Sequence, residues 1–233
     1  MEIYPKSSKH YVAVDCIIFG YDILDKELKL LLYKRTFDPA RGSLSLAGGF
    51  VNAKESLDEA ACRILTKLTG LESVYMKQSY AYGDTDRDPG DRVISVSYFA
   101  LIPVRDINKD LARQNGVSWY ALSGLPKLIF DHNDMVRRAL SELQTQIRIK
   151  PVGFELLPEK FTLVQLQDLY EAIYRRKVDR RNFRKKILSM GILEKLEEKE
   201  KETSKKGAYY YKFNQDTYLK LKQNGFYFNL DVN

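Results

Sequence analysis

The first 150 residues alternate between stretches with the apolar pattern of strands and stretches with that of helices. Residues rich in β-branched and aromatic side chains predict strands at 11–20, 27–35 and 92–104, with weaker ones at 73–82 and around Trp119 and Tyr120. Apolar side chains recur every three or four positions over 56–69 and 133–147, as they do in amphipathic helices. This order predicts a mixed sheet sandwiched between helices, an α/β/α arrangement.

The remaining residues follow a different plan. Residues 148–160 contain two prolines and a glycine without any clear period, which is typical of a linker. Thr162 is a good N-cap for a first helix, and Asp179 is one for a second helix over 180–189. Strands are then expected at 192–197 and 208–213, on either side of a charged loop. Helix, turn, basic helix and hairpin is the order of a winged helix.

The fold class expected from these patterns is therefore α+β. We expect a first, sheet-containing domain over residues 1–150, a linker over 151–160 and a winged helix-turn-helix domain over 161–233.

The charge of the chain is concentrated near its C-terminal end. The formal net charge is +7, and the segment 175–186, RRKVDRRNFRKK, holds eight basic residues and one acid. Such a dense basic cluster attracts polyanions and therefore indicates a polyanionic partner.

Two cysteines and a polar N-terminus bear on where the protein works. Cys16 and Cys62 have no metal-like or redox-like spacing and lie in apolar stretches, so both are expected to be reduced, buried thiols. The N-terminus has no apolar signal-peptide region, and no apolar run approaches the ~20 residues that span a membrane. These features predict a cytoplasmic protein without a membrane partner.

Residues 48–71 read GGFVNAKESLDEAACRILTKLTGL and resemble the Nudix box, G-x5-E-x7-R-E-U-x-E-E-x-G-U, where U is aliphatic. Six residues fall in register: Gly49, Glu55, Arg63, Leu65, Gly70 and Leu71. The three glutamates that hold the divalent metal in this family are replaced by Ile64, Lys67 and Leu68. Aliphatic groups and an ammonium cannot bind Mg²⁺, which needs oxygen ligands. No catalytic residue and no metal site are therefore expected, and Glu55, Asp58 and Glu59 are interpreted as capping and charging the helix start.

The whole chain resembles the Nudix-related transcriptional regulators, in which a Nudix-like domain precedes a winged helix. The resemblance rests on five stretches: 34–51, 86–101, 125–140, 154–173 and 178–193. Within this family the chain looks most like the arabinose-responsive repressor branch. That resemblance implies L-arabinose as effector, no required cofactor, and a homodimer that binds palindromic double-stranded DNA and releases it when the sugar binds. Three alternatives remain open: an ADP-ribose-responsive regulator, with Arg35, Arg41, Arg87 and Arg92 as phosphate ligands; a residual ADP-ribose pyrophosphatase; and an RNA-binding protein.

Two sets of side chains are candidates for these roles. The DNA candidates lie on the basic helix and the predicted wing tip: Arg180, Arg181, Asn182, Arg184, Lys185, Lys205 and Lys206. Arginine can bond to guanine and asparagine to adenine in the major groove. The effector candidates are polar or aromatic residues near the expected Nudix cleft: Arg41, Ser43, Ser45, Tyr82, Asp84, Arg92 and Tyr98, with Arg35 and Glu55 further out.

Overall fold

The computed structural model describes residues 7–72, 74–201 and 207–230. The chain forms two compact units built from interleaved segments. The first contains the residues up to Phe19, Leu30–Ala100 and Asp106–Ala139; the second contains Gly20–Lys29, Leu101–Arg105 and the residues from Leu140 onward. These units do not test the predicted domain limits. The limits 1–150, 151–160 and 161–233 therefore remain a prediction.

One large sheet organises the N-terminal part of the chain. Its strands are β1 (Tyr11–Asp22), β2 (Glu27–Lys34), β3 (Leu44–Ser45), β4 (Ala47–Phe50), β5 (Lys77–Tyr82), β6 (Val93–Leu101) and β7 (Val117–Ala121). The strand order is β3-β2-β1-β6-β5, with β4 paired to β1 and β7 paired to β2. From Ala13 to Tyr21 every residue of β1 is buried, so both faces of the sheet are covered at its centre. The structure thus confirms the α+β class.

The Nudix-box helix, α1 (Leu57–Thr69), begins and ends at the predicted signals. Ser56 and Glu59 form a reciprocal capping box, and Gly70 ends the helix at a positive φ of 74°. One prediction on this helix is wrong, because the Cys62 thiol is exposed. Cys62 falls between the apolar positions and so points away from the core, whereas Cys16 is buried and burial raises the pKa of its thiol.

Two further helices complete the N-terminal part. α2 (Lys109–Gln114) was not predicted, and α3 (His132–Ile149) covers the predicted 133–147 with one residue more at its start and two more at its end. α3 buries Met135, Leu143 and Ile147 completely. None of the helices that the structure describes is both long and apolar enough to cross a membrane.

The second unit holds the predicted helix–turn–helix and hairpin. Its elements are β8 (Phe161–Thr162), α4 (Leu163–Tyr174), α5 (Arg180–Ser189), β9 (Leu193–Glu200), β10 (Ala208–Phe213) and α6 (Gln215–Gln223). The strands form an antiparallel sheet in the order β8-β10-β9. Thr162 caps α4 and Asp179 caps α5, as predicted. α6 was not predicted.

The segment expected to be a linker contributes apolar residues to the second unit. Phe154, Leu156 and Leu157 are all buried. The ring of Phe154 stacks on Phe213 of β10 with the centroids 4.6 Å apart. This segment is therefore packed against the winged-helix sheet.

Candidate functional site

A cleft in the first unit lies between the end of β2, the β4 loop and α1. Its inner part, the inner cleft, is lined by Asp15, Ser45, Arg87, Phe130 and His132, among others. Its outer part, the box cleft, extends along α1 and α2 and includes Ile64, Lys67 and Leu68. The two parts share Tyr33, Arg35, Phe37, Gly48 and Gly49, so they form one continuous groove.

A network of buried charged side chains forms the floor of the inner cleft. Arg87 makes two hydrogen bonds to Asp131, from Nε and Nη2, both 2.8 Å long. Its Nη2 also lies 3.8 Å from Asp15 Oδ2, and Ser95 Oγ donates to that oxygen over 2.6 Å. Burial lowers the pKa of Arg87, but the bonds to Asp131 outweigh it and raise the pKa overall. The guanidinium therefore stays charged and fixed in position.

His132 links this network to the Leu46 backbone, between β3 and β4. Its Nδ1 accepts a hydrogen bond from the Leu46 backbone N–H over 3.2 Å, so in the neutral ring the proton is on Nε2. Nε2 faces Asp15 Oδ1 at 3.7 Å. Burial lowers the pKa of His132. The neutral ring is thus available as a hydrogen-bond donor at the bottom of the cleft.

Gly48 is required where β4 passes over Asp15. A Cβ on Gly48 would stand 2.2 Å from Asp15 Oδ1 and 3.0 Å from the Val14 carbonyl oxygen. Any side chain there would displace the Asp15 carboxylate, because real Cβ contacts do not become that short.

Aromatic rings and an arginine form the walls. The Arg35 guanidinium stacks over the ring of Phe37, 3.9 Å from its centroid, and lies 5.8 Å from that of Phe130. Phe37 is about half exposed, at 48%. A flat, partly exposed ring beside a cation suits a planar heterocycle or an anion.

The remaining acids of the Nudix box are engaged with other protein groups. Glu55 receives hydrogen bonds from Arg63 Nη2 and Nε, 2.6 and 2.9 Å long. These bonds, together with the Asn52 backbone N–H, lower the pKa of Glu55 to about 2. Glu59 is held by Ser56 in the capping box, which lowers its pKa as well. Their predicted capping and charging role is consistent with these contacts.

The residues at the metal-ligand positions do not fit a divalent cation. Ile64 is buried against Gly49, Leu68 is half-buried and Lys67 is exposed on the groove wall. Within residues 7–72, 74–201 and 207–230, no three His, Cys, Asp or Glu side chains converge as a metal site would require. The groove keeps the Nudix frame but offers one ammonium and two aliphatic groups where the metal's ligands would stand.

The predicted effector residues are spread over several places, and their roles stay a prediction. Arg41 lines the box cleft, Ser45 lines the inner cleft, and Ser43 lies exposed between them. Tyr98 is buried and donates to Asp58, while the Asp84 backbone oxygen accepts from Arg92. The Tyr82 hydroxyl is buried and, among the described residues, has no hydrogen-bond partner.

Most residues of the inner cleft were not among the candidates predicted from the sequence. Asp15, Phe130, Asp131 and His132 were not candidates, and Arg87 entered only as a phosphate ligand in an alternative. One signal was available, since Asp15 is a single acid inside the apolar strand β1 and such a residue needs a buried partner.

The basic helix α5 presents its predicted DNA residues to solvent. Arg180, Arg181, Asn182, Arg184 and Lys185 are all exposed. On the opposite face, Phe183 and Ile187 are fully buried. In the part of the chain that the structure describes, no acid pairs with these three arginines or with Lys185. Lys205 and Lys206, also predicted to contact DNA, lie outside the described residues.

The hairpin β9–β10 carries a further cationic group that the sequence did not reveal. Lys195 Nζ lies 3.7 Å and Lys199 Nζ 4.4 Å from the centroid of the Tyr209 ring. The cross-strand aromatic holds both ammonium groups on one face of the hairpin.

Two protein-family models match this chain, one over the part with the groove and one over the part with α5. The model of the NUDIX domain matches residues 9–139, and that of the NrtR DNA-binding winged helix domain matches residues 153–213. These two matches define a Nudix domain joined to a winged helix. The chain belongs to the NrtR family of Nudix-related transcriptional regulators.

Individual relatives cover most of the chain. It is 31% identical over 206 residues to the ADPR responsive transcriptional repressor NtrR of Acinetobacter baylyi, a match that covers 87% of this chain and 81% of the relative. It also resembles the crystal structure of Shewanella oneidensis NrtR complexed with a 27mer DNA, with 28% identity and a TM-score of 0.78, over 94% of this chain and 99% of that one. The NUDIX domain of the same protein, complexed with ADP ribose, matches with 28% identity and a TM-score of 0.50, over 60% of this chain and 92% of that one.

These relatives correct one expectation from the sequence. They give no support to the arabinose-responsive branch, and the alternative that named ADP-ribose agrees with them better. The predicted winged helix and Nudix-like fold are confirmed.

Proposed function

We propose that this protein is a DNA-binding transcriptional repressor that responds to ADP-ribose and does not hydrolyse it. The main support for this proposal is the groove. It keeps the Nudix frame and has aromatic walls, but basic side chains line its box cleft, where a hydrolase binds its metal. A relative named for its response to ADP-ribose, and a structure of a related Nudix domain with ADP-ribose bound, support the choice of ligand.

The groove offers complementary groups to each part of such a ligand. Phe37 and Phe130 provide rings against which a planar base can stack. Asp15 and His132 provide an acceptor and a donor for ribose hydroxyls at the bottom of the inner cleft. Lysines and arginines of the box cleft can pair with a diphosphate. L-Arabinose carries no charge and would leave those cations without a counter-ion.

DNA binding is proposed for α5. Its exposed arginines stand at the N-terminal end of the helix, which is the end that reaches base edges when such a helix enters the major groove. Lys185 is suited to a phosphate, which positions the protein without specifying sequence. A homodimer on a palindromic site follows from the two-fold symmetry of most such complexes. Both the dimer and the palindrome are part of the proposal.

Coupling between the two sites requires two arrangements of the dimer. A ligand changes DNA affinity only through its different affinity for those arrangements. We propose that ADP-ribose favours the arrangement that spaces the two recognition helices wrongly for the operator, so that DNA is released.

The ligand and the missing activity can be tested on the full-length protein by calorimetric titration. ADP-ribose is expected to give a saturable binding isotherm, whereas L-arabinose gives none, because only the diphosphate can neutralise the box cleft. Samples kept with Mg²⁺ are expected to contain unchanged ADP-ribose when analysed by chromatography. Binding of arabinose alone, or release of AMP and ribose 5-phosphate in proportion to protein concentration, would refute this assignment.

A further inference from the structure

The box cleft has an unusual balance of charge. Its lining includes six basic residues and no acid: Lys34, Arg35, Arg41, Arg63, Lys67 and Arg113. Lys67 stands at a position where the Nudix pattern has a metal-binding glutamate. The charge of the site is thus inverted at the place where a hydrolase holds its divalent cation.

Most of these cations are not neutralised by the protein. Arg63 is paired with Glu55. Over the ranges that the structure describes, no carboxylate lies within ion-pairing distance of Lys34, Arg41, Lys67 or Arg113, and all four side chains are exposed. Like charges that line one groove without counter-ions repel one another. A bound anion would offset that repulsion.

Three hydrogen bonds hold together the segments of the chain that carry these four side chains. The Asn115 side-chain amide donates to the Lys67 carbonyl oxygen over 3.0 Å, which ties the end of α1 to the residues after α2. The Lys34 N–H donates to the Gly116 carbonyl oxygen over 3.0 Å, which ties the end of β2 to the same loop. The Gly42 N–H donates to the Arg35 carbonyl oxygen over 2.8 Å and so folds the loop with Arg41 back toward β2. The cluster is therefore built into the fold.

We infer that Lys34, Arg41, Lys67 and Arg113 take the place of the divalent cation, so that this protein binds a diphosphate without any metal. The residues at the metal-ligand positions do not fit Mg²⁺, and an ammonium at position 67 repels it. Ammonium and guanidinium groups can instead donate charge-assisted hydrogen bonds directly to phosphate oxygens. The identity of the ligand as ADP-ribose rests on the proposed function; the metal-free diphosphate site does not.

The consequence is a binding constant that does not depend on magnesium. Calorimetric titrations of the full-length protein with ADP-ribose, and separately with inorganic pyrophosphate, are made in EDTA and again in excess Mg²⁺. For ADP-ribose we expect Kd values that agree within about twofold between the two conditions. Pyrophosphate is expected to bind in EDTA, and Mg²⁺ is expected to weaken its binding, since the ion competes with the cluster for the phosphate oxygens.

Substitutions test whether the named side chains are responsible. Lys67→Ala and Arg113→Ala are each expected to weaken the binding of both ligands about tenfold in EDTA, since each variant loses a charge-assisted hydrogen bond to a phosphate oxygen. Lys67→Glu should weaken the binding of both ligands further, because it places a negative charge beside the phosphates. Lys109→Ala is the matched control, because Lys109 is an exposed lysine on the same helix as Arg113 but does not line the groove.

The possible results distinguish a failure of the metal-free diphosphate site from a failure of the proposed ligand. Binding of ADP-ribose only in the presence of Mg²⁺, or equal losses in Lys67→Ala and Lys109→Ala, would overturn the inference and leave the proposed ligand standing. Binding of pyrophosphate in EDTA without binding of ADP-ribose would support the metal-free site and refute the proposed ligand. Failure of both ligands to bind in EDTA would overturn the inference.

Discussion

Replacing Arg181 and Arg184 together by alanine is expected to weaken binding of operator DNA about a hundredfold or more. A bidentate contact between arginine and guanine contributes ~1–3 kcal/mol of discrimination, and ~1.4 kcal/mol corresponds to tenfold in affinity. Both side chains are exposed on α5, and no carboxylate among the described residues pairs with them. Their removal therefore costs the protein little while it deprives the DNA of two contacts.

Fluorescence anisotropy with a labelled duplex at several salt concentrations would measure this loss. If one of the two arginines contacts phosphate instead of a base, the slope of log K against log salt should also fall by about one. The control is the double variant Lys220→Ala and Lys222→Ala, which removes the same charge from α6. Equal losses in the two double variants would show that net charge, and not the recognition helix, determines binding.

Replacing Phe183 by alanine is expected to destabilise the second unit by about 3–5 kcal/mol, the usual cost of removing a buried phenyl ring. Phe183 is completely buried on the inner face of α5. Its ring meets that of Tyr170, also fully buried, edge to face with the centroids 5.5 Å apart. This pair joins α5 to α4, so α5 should be held less firmly when the pair is lost.

Hydrogen exchange would locate the effect. Amides of α4 and α5 should exchange much faster in Phe183→Ala, since local opening becomes less costly. Leu188→Ala is the matched control, because Leu188 is an apolar residue of the same helix that is 40% exposed. Similar exchange rates in the two variants would show that the Phe183–Tyr170 contact does not hold α5 in place.

The helix caps and the buried faces of strands and helices could be predicted from the sequence, because they depend on residues close together in the chain. Ser56 with Glu59, Thr162 with Gln165 and Asp179 with the Asn182 N–H all form the caps that their spacing indicates. The burial of β1 and the amphipathic character of α5 follow from composition and period in the same way. The short helices α2 and α6 were missed for a related reason. α6 buries none of its residues and α2 only Ala112, so neither has a clear apolar stripe.

The candidate site was less predictable because it is assembled from distant segments. Asp15, Arg87 and Asp131 come from β1, a loop and the residue before α3, and only the fold brings them together. The loss of the metal ligands could be predicted, since Ile64, Lys67 and Leu68 fall within a known pattern. The nature of the ligand could not, because it depends on the summed charge of the box cleft. A decayed Nudix box is equally compatible with a sugar and with a nucleotide.

Titration of a preformed protein–DNA complex would show whether ADP-ribose controls DNA binding by this protein. The complex of the full-length protein with a labelled duplex from the region upstream of its gene would be titrated with ADP-ribose and, separately, with L-arabinose, and its anisotropy recorded. We expect ADP-ribose to release the DNA, in EDTA as well as in Mg²⁺, and arabinose to have no effect. Release by arabinose alone, or a complex that neither ligand dissociates, would contradict this expectation.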